Sequence, residues 1–242
     1  MMQRLRRIGF GLFTTLAIVG SAGQAPAADE RFEVTSIKAV RPNLVATLTA
    51  LQQKDIAKAK DAFEAYDSAW NGIEVYINTR SKDTYNLLEL DLQDRITKGM
   101  NAPAPDFAKL VADTQTMIAK YDDAIAMVTN AKPLNPLYDD IARLRIVRAP
   151  LRVVIPALKA GNVEKARKSY ETFDTNWDSI EDLIKARSAD AYVAIEKGMI
   201  QIEQALMPDK PDLAQVTSLV TALNMQYNAT LAEIVKEARS RN

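Results

Sequence analysis

Two glutamates flank a serine at the same spacing twice in this chain: Glu74 lies seven residues before Ser81 and Glu89 eight after it, and Glu181, Ser188 and Glu196 repeat the pattern. If each serine opens a turn between antiparallel helices, a rise of about 1.5 Å per residue brings both carboxylates to one level, roughly 10 to 12 Å from the turn. Carboxylates facing inward at one level repel unless a cation, a proton or an arginine compensates them. Arg41 and Arg148, or Arg80 and Arg187, are candidate partners for internal ion pairs. The other compensator is a metal ion held by Glu74, Glu89, Glu181 and Glu196, with Asp67 and Asp174 alongside. With no His and no Cys in 242 residues, that site is all oxygen and suits ferric iron, Ca²⁺, Mg²⁺ or Mn²⁺ rather than copper(I) or zinc. The same absences exclude thiol nucleophiles, disulfides, haem on a His ligand, imidazole zinc sites and His-based triads. Nothing supplies a nucleophile or substrate cleft for carboxylate acid–base work, so the chain reads as non-enzymatic.

The helices that must position these acids are written twice. Asp55 to Tyr85 aligns without a gap on Asn162 to Tyr192, an offset of 107, with 12 of 31 positions identical; among them are Asp67/Asp174, Trp70/Trp177, Glu74/Glu181, Arg80/Arg187 and Ser81/Ser188. The register reaches upstream to Arg41/Arg148 and downstream to Glu89/Glu196. After a slip of one residue it continues through Pro105/Pro211 to Tyr121/Tyr227. A tandem repeat of this length predicts two similar folded units. Each reads as four helices, over 37–53, 55–79, 82–98 and 106–129 and then 138–160, 162–186, 189–206 and 212–239. In the second helix of each unit Phe63, Tyr66, Trp70, Ile73 and Ile77, or Tyr170, Phe173, Trp177, Ile180 and Ile184, fall on one face and predict core. Glu74 borders that face, Asp67 lies further out, and Glu64 and Glu171 point to solvent. On the third helix Glu89 falls in the stripe Tyr85, Leu92 and Ile96. Ser81 and Ser188 are expected N-caps. The fold expected is all-α, a tandem duplication of an antiparallel four-helix unit packed about a pseudo-twofold axis.

Residues 1–27 carry Arg4, Arg6 and Arg7, an apolar run from Ile8 to Val19, and Ala25-Pro26-Ala27 as a small-residue cleavage site. That is the pattern of a cleaved secretory signal peptide, which implies a periplasmic protein. The run is too short to span a bilayer, so the chain is not expected to be membrane-embedded after removal of the segment. Lys+Arg 31 balances Asp+Glu 31, but the segment holds three basic residues and no acidic one, so the remaining chain is mildly acidic and unsuited to nucleic acid. The expected organisation is 1–27 signal peptide, 28–36 a short tail, 37–130 the first repeat, 131–136 a Pro-containing linker and 137–242 the second repeat.

The frame from Ala59 to Glu89, Ala-x-x-x-Phe-x-x-Tyr-x-x-x-Trp-x-x-Ile-Glu followed by Arg80-Ser81 and Glu89, resembles the helical extracytoplasmic domain that precedes the membrane part of some bacterial high-affinity iron permeases. The frame recurs from Ala166 to Glu196. The resemblance implies iron handling before transport, with Glu74, Glu89, Glu181 and Glu196 at the site and an inner-membrane iron permease as partner. This chain has neither the permease's membrane helices nor its Arg-Glu-Gly motif, and so would be a stand-alone relative. The alternative expectation is a structural, adaptor or small-molecule-binding bundle with internal Arg–Glu pairs.

Overall fold

The computed structural model describes residues 30–241, and among these there is no strand. The expected signal peptide, 1–27, lies outside the described residues. The first half comprises α1 (Phe32–Gln52), α2 (Ile56–Arg80), α3 (Lys82–Asn86), a π-helical segment (Leu87–Gln93), α4 (Asp94–Met100) and α5 (Phe107–Asn130). The second comprises α6 (Leu137–Lys159), α7 (Val163–Trp177), α8 (Glu181–Lys185), α9 (Ala189–Leu206) and α10 (Leu213–Ser240). The protein is therefore all-α.

Local chemistry sets most helix starts. Asp55, Ser81, Asp106, Asn162, Ser188 and Asp212 each accept a backbone N–H from the first turn that follows them, satisfying donors that a helix start leaves free. At the end of α6, Gly161 takes a φ of 72°, and the next amide, of Asn162, donates to Ala157 O at 2.9 Å. At the end of α1, Lys54 takes the same left-handed turn with a φ of 57°, and Asp55 N donates to Ala50 O at 2.9 Å. A left-handed lysine costs roughly 1 kcal/mol that glycine avoids.

Three expected boundaries need correction. The expected tail 28–36 is helical from Phe32. Arg31 anchors it by donating to the carbonyls of Val128, Thr129 and Ala131 at 2.8 to 2.9 Å, the C-terminal end of α5 where cations are favoured. The single helix expected over 162–186 breaks between Trp177 and Glu181. There Ser179 Oγ donates to Asn176 O at 2.6 Å, a local bond that competes with the helical ladder. The third helix runs on to Met100 but contains the π-helical segment.

Five aromatic and aliphatic side chains predicted as core on α2, Phe63, Tyr66, Trp70, Ile73 and Ile77, are all buried, as are Tyr170, Phe173, Trp177, Ile180 and Ile184. Tyr66, Trp70 and Tyr121 form one cluster of stacked, tilted and edge-on rings in the first half, and Phe173, Trp177 and Tyr227 form one of tilted and edge-on rings in the second. α1 packs on α2 and α5, α6 packs on α7 and α10, and α9 packs on α10. The halves join through α2 against α6, and from Arg31 onward the chain is one compact unit. A twofold axis would demand equal packing of α7 on α1, the exchanged pair, and that contact is not comparably made. The halves are thus joined head to tail, not about the expected pseudo-twofold. At the α2–α6 crossing Gly72 is buried, and a Cβ there would lie 2.5 Å from Ile146 Cγ1. Even an alanine would require the Ile146 side chain to shift, and a large side chain would force the two helices apart.

Candidate functional site

Three of the expected acids are grouped in the first half: Asp67 and Glu74 on α2 and Glu89 on the π-helical segment. Glu74 faces across the joint to α6, where Arg145 Nη1 donates to its Oε1 at 3.0 Å; the two side chains are 18% and 21% exposed. Burial pushes the Glu74 carboxyl above the usual carboxylate range, Arg145 opposes the shift, and neighbouring Glu89 adds to it. Glu89 is also raised, first by burial and further by Asp67, against the lowering influence of the nearby Trp70 indole and of Arg152; Trp70 Nε1 itself is buried with no hydrogen-bond partner. Its Oε2 is buried with no hydrogen-bond partner. Asp67 accepts from Gln93 Nε2 at 2.6 Å. The first half therefore does bring Asp67, Glu74 and Glu89 into one neighbourhood, with Tyr85 between α2 and the π-helical segment stacked on Trp70.

The second half is built differently. Trp177 Nε1 donates to Glu196 Oε1 at 2.6 Å, whereas in the first half Trp70 Nε1 has no hydrogen-bond partner. Glu181 opens α8 just after the break, so it does not continue the helix face that Glu74 occupies on α2. Asp174 is half-buried on α7. Glu64 is exposed, as expected, and pairs with Lys165 at 3.2 Å. Among the described residues no group of three or more acids is arranged to hold a metal ion.

The four arginines expected to balance Glu74, Glu89, Glu181 and Glu196 pair elsewhere. Arg80 Nη2 donates to Glu33 Oε2 at 2.6 Å with both side chains buried. Arg187 donates to Asp140 at 2.7 Å. Arg41 makes a two-pronged pair with Asp122, Nε to Oδ1 at 2.6 Å and Nη2 to Oδ2 at 2.8 Å. It holds the Asp122 carboxyl below its usual range. Arg148 finds only the neutral Asn228, whose Oδ1 accepts from its Nη1, and lies over the Tyr227 ring.

Five of these partners are not among the residues the sequence picks out: Glu33, Asp122, Asp140, Arg145 and Asn228. Glu33 and Asp140 stand in the same 107-residue register as Arg80 and Arg187, so carrying the repeat further upstream would have exposed both pairs. No comparable signal marks Arg145, because its counterpart in that register is Lys38 and its partner Glu74 lies in the other half.

No family model matches the chain, nor does any curated protein or solved structure.

Proposed function

We propose that this is a non-enzymatic helical binding protein of the bacterial periplasm, grown from a duplicated four-helix unit, whose internal carboxylates serve charge pairing and whose clefts take a small molecule. The Glu74–Arg145 pair at 3.0 Å carries the reading. It occupies the carboxylate best placed for a metal with a cation of the protein's own, and removes the need for another. Duplication is supported by contacts that recur in register. Tyr121 and Tyr227 hydroxyls both donate at 2.7 Å, to Ile37 O and Leu144 O, which stand 107 apart. Arg80–Glu33 and Arg187–Asp140 recur likewise. The cleavable N-terminal pattern supports the location.

A second reading, binding of iron or another hard cation and delivery to an inner-membrane permease, is favoured by the crowding of Asp67, Glu74 and Glu89 and by the unpartnered Glu89 Oε2. The two readings separate in melting temperatures taken with Ca²⁺, Mn²⁺ and ferric iron, with chelator-only controls. On the charge-pairing reading no cation stabilises the protein, and Glu74→Gln costs about 1–3 kcal/mol in cation-free buffer because Arg145 loses its counter-charge in a half-buried site. A cation-dependent rise in melting temperature that Glu74→Gln abolishes would instead establish the metal reading.

A further inference from the structure

One half-buried cation of the second half, Arg148, has no carboxylate partner among the described residues, and two exposed cations, Lys236 and Arg239, line the same groove. Arg145, Arg148, Lys236 and Arg239 line a cavity of about 520 Å³ between α6 and the C-terminal half of α10, with Glu74 its sole acid. Glu74 is already engaged by Arg145. Lys236 and Arg239 have no carboxylate partner among the described residues, and Leu231 supplies part of an apolar wall.

Arg148 is the centre of the imbalance. The first half shows how this arginine is neutralised: Arg41, in the same register, is gripped by Asp122 through two short bonds. At the residue matching Asp122 in the Tyr121/Tyr227 register the second half has Asn228, which accepts one hydrogen bond but brings no charge. Arg148 Nε is left buried with no hydrogen-bond partner. Burial and the nearby Arg152 and Arg145 pull its guanidinium below the ordinary range, against Tyr227 and Glu74, the expected response where crowded positive charges outweigh the one nearby carboxylate. The register also places Asn130 and Pro133 opposite Lys236 and Arg239, so the first half lacks both the surplus and the extra cations.

We propose that the groove between α6 and α10 is an oxyanion site, binding a small molecule through a carboxylate or phosphate group that docks on Arg148 and is flanked by Lys236 and Arg239. Guanidinium groups favour such ligands because their donors match two oxygens at once. The bound oxyanion would supply the charge and acceptor that Asp122 gives Arg41, and its body would lie along Leu231.

The inference rests on the reading of the chain as a small-molecule-binding protein and names the ligand class. Isothermal titration of the purified protein at low ionic strength, with citrate in one arm and inorganic phosphate in the other, tests it. One saturable site per chain is expected in at least one arm; citrate alone identifies an organic acid, phosphate alone a phosphate ligand, and both a general oxyanion site. Asn228→Asp installs on Arg148 the carboxylate that Arg41 already has, so it should keep or raise the melting temperature while weakening anion binding at least tenfold. The double variant Lys236→Gln/Arg239→Gln, both exposed on α10, should weaken it comparably with the fold intact. Absence of binding in both arms, or less than tenfold weakening in Asn228→Asp and in the double variant, overturns the proposal. A cation-dependent melting shift would overturn the underlying reading instead, and that measurement is independent of the heat of anion titration.

Discussion

At the scale of single residues, this interior distributes its charge unevenly. Glu33, Asp122 and Asp140 each have an arginine in salt-bridge contact, whereas Glu89 has none, its Oε2 is buried without a hydrogen-bond partner, and Asp67 lies near it. The ionised form of Glu89 is therefore disfavoured in the folded chain, and the sign of its pH linkage follows. A carboxyl raised above its ordinary value of 4.5 keeps its proton to higher pH when folded than when unfolded. Between those two values unfolding releases a proton, so the contribution of Glu89 to stability declines as pH rises through the window and stays low above it. Glu89→Gln keeps the shape of the side chain but cannot ionise. We expect it to raise the melting temperature at pH 7 and to flatten the decline that sets in as pH rises above the ordinary carboxyl value, measured by circular dichroism; a lower melting temperature at pH 7 would show that the Glu89 charge has a stabilising partner. The position of Glu89 among core residues was legible from helical spacing alone. Its partner was not, since spacing says which way a side chain points and nothing about what comes to meet it from another helix.

At the scale of elements, caps and apolar faces were readable because they depend on neighbours three or four residues away. The irregularities were legible only in part. The one-residue slip between the repeats downstream of Glu89 and Glu196 corresponds to the π-helical segment: α3, the π-helical segment and α4 together are one residue longer than α9, while the loops that follow, Asn101–Asp106 and Met207–Asp212, are equal in length. A single inserted residue absorbed as a π-bulge preserves the faces on either side of it, which is why Leu88, Leu92 and Ile96 are all buried despite the insertion. Deleting Leu90, 63% exposed inside the segment, should then convert it to ordinary α-helix at little cost. The melting temperature is expected to stay within a few degrees of the parent. Deleting Gln201 from the regular helix α9 provides the contrast, since it would turn the buried Ile202 and Leu206 by about 100° toward solvent and lose several kcal/mol of burial. Equal damage from both deletions, compared by thermal melts, would refute the bulge as the site of the insertion. The break in α7–α8 had a weaker signal, the Asn176, Asp178 and Ser179 run, whose side chains compete for backbone bonds. The strong apolar period through Ile180 and Ile184 concealed it.

At the scale of the whole molecule, the sequence aligns with itself over two stretches separated by a Pro-containing segment, and that picture invites two independent domains. The joint between α2 and α6 argues otherwise. Gly72 lets the helices approach until Ile146 fills the space a Cβ would need. Glu74 pairs with Arg145 across the joint at 3.0 Å, and the Tyr76 hydroxyl, on a fully buried ring, donates to Asp139 at 2.8 Å. None of these pairs could be read from the chain, because each links residues more than sixty positions apart and none falls in the repeat register. Separating the halves would leave Arg145 without its acid, Tyr76 exposed beside an unpaired hydroxyl, and the facing surfaces of α2 and α6 in water. Each half alone would thus lose interactions that the other cannot replace, and the free energy of the joint couples their unfolding. Differential scanning calorimetry should accordingly give one transition for the chain, with the calorimetric and van't Hoff enthalpies equal. Tyr76→Phe, which removes one buried hydrogen bond and leaves the ring in place, should lower that transition by about 1 kcal/mol without splitting it. Two resolved transitions in the parent would mean that the helices of each repeat close their own cores and that the joint adds little. A split appearing only in Gly72→Leu, where the added side chain forces α2 from α6, would locate the coupling at this crossing.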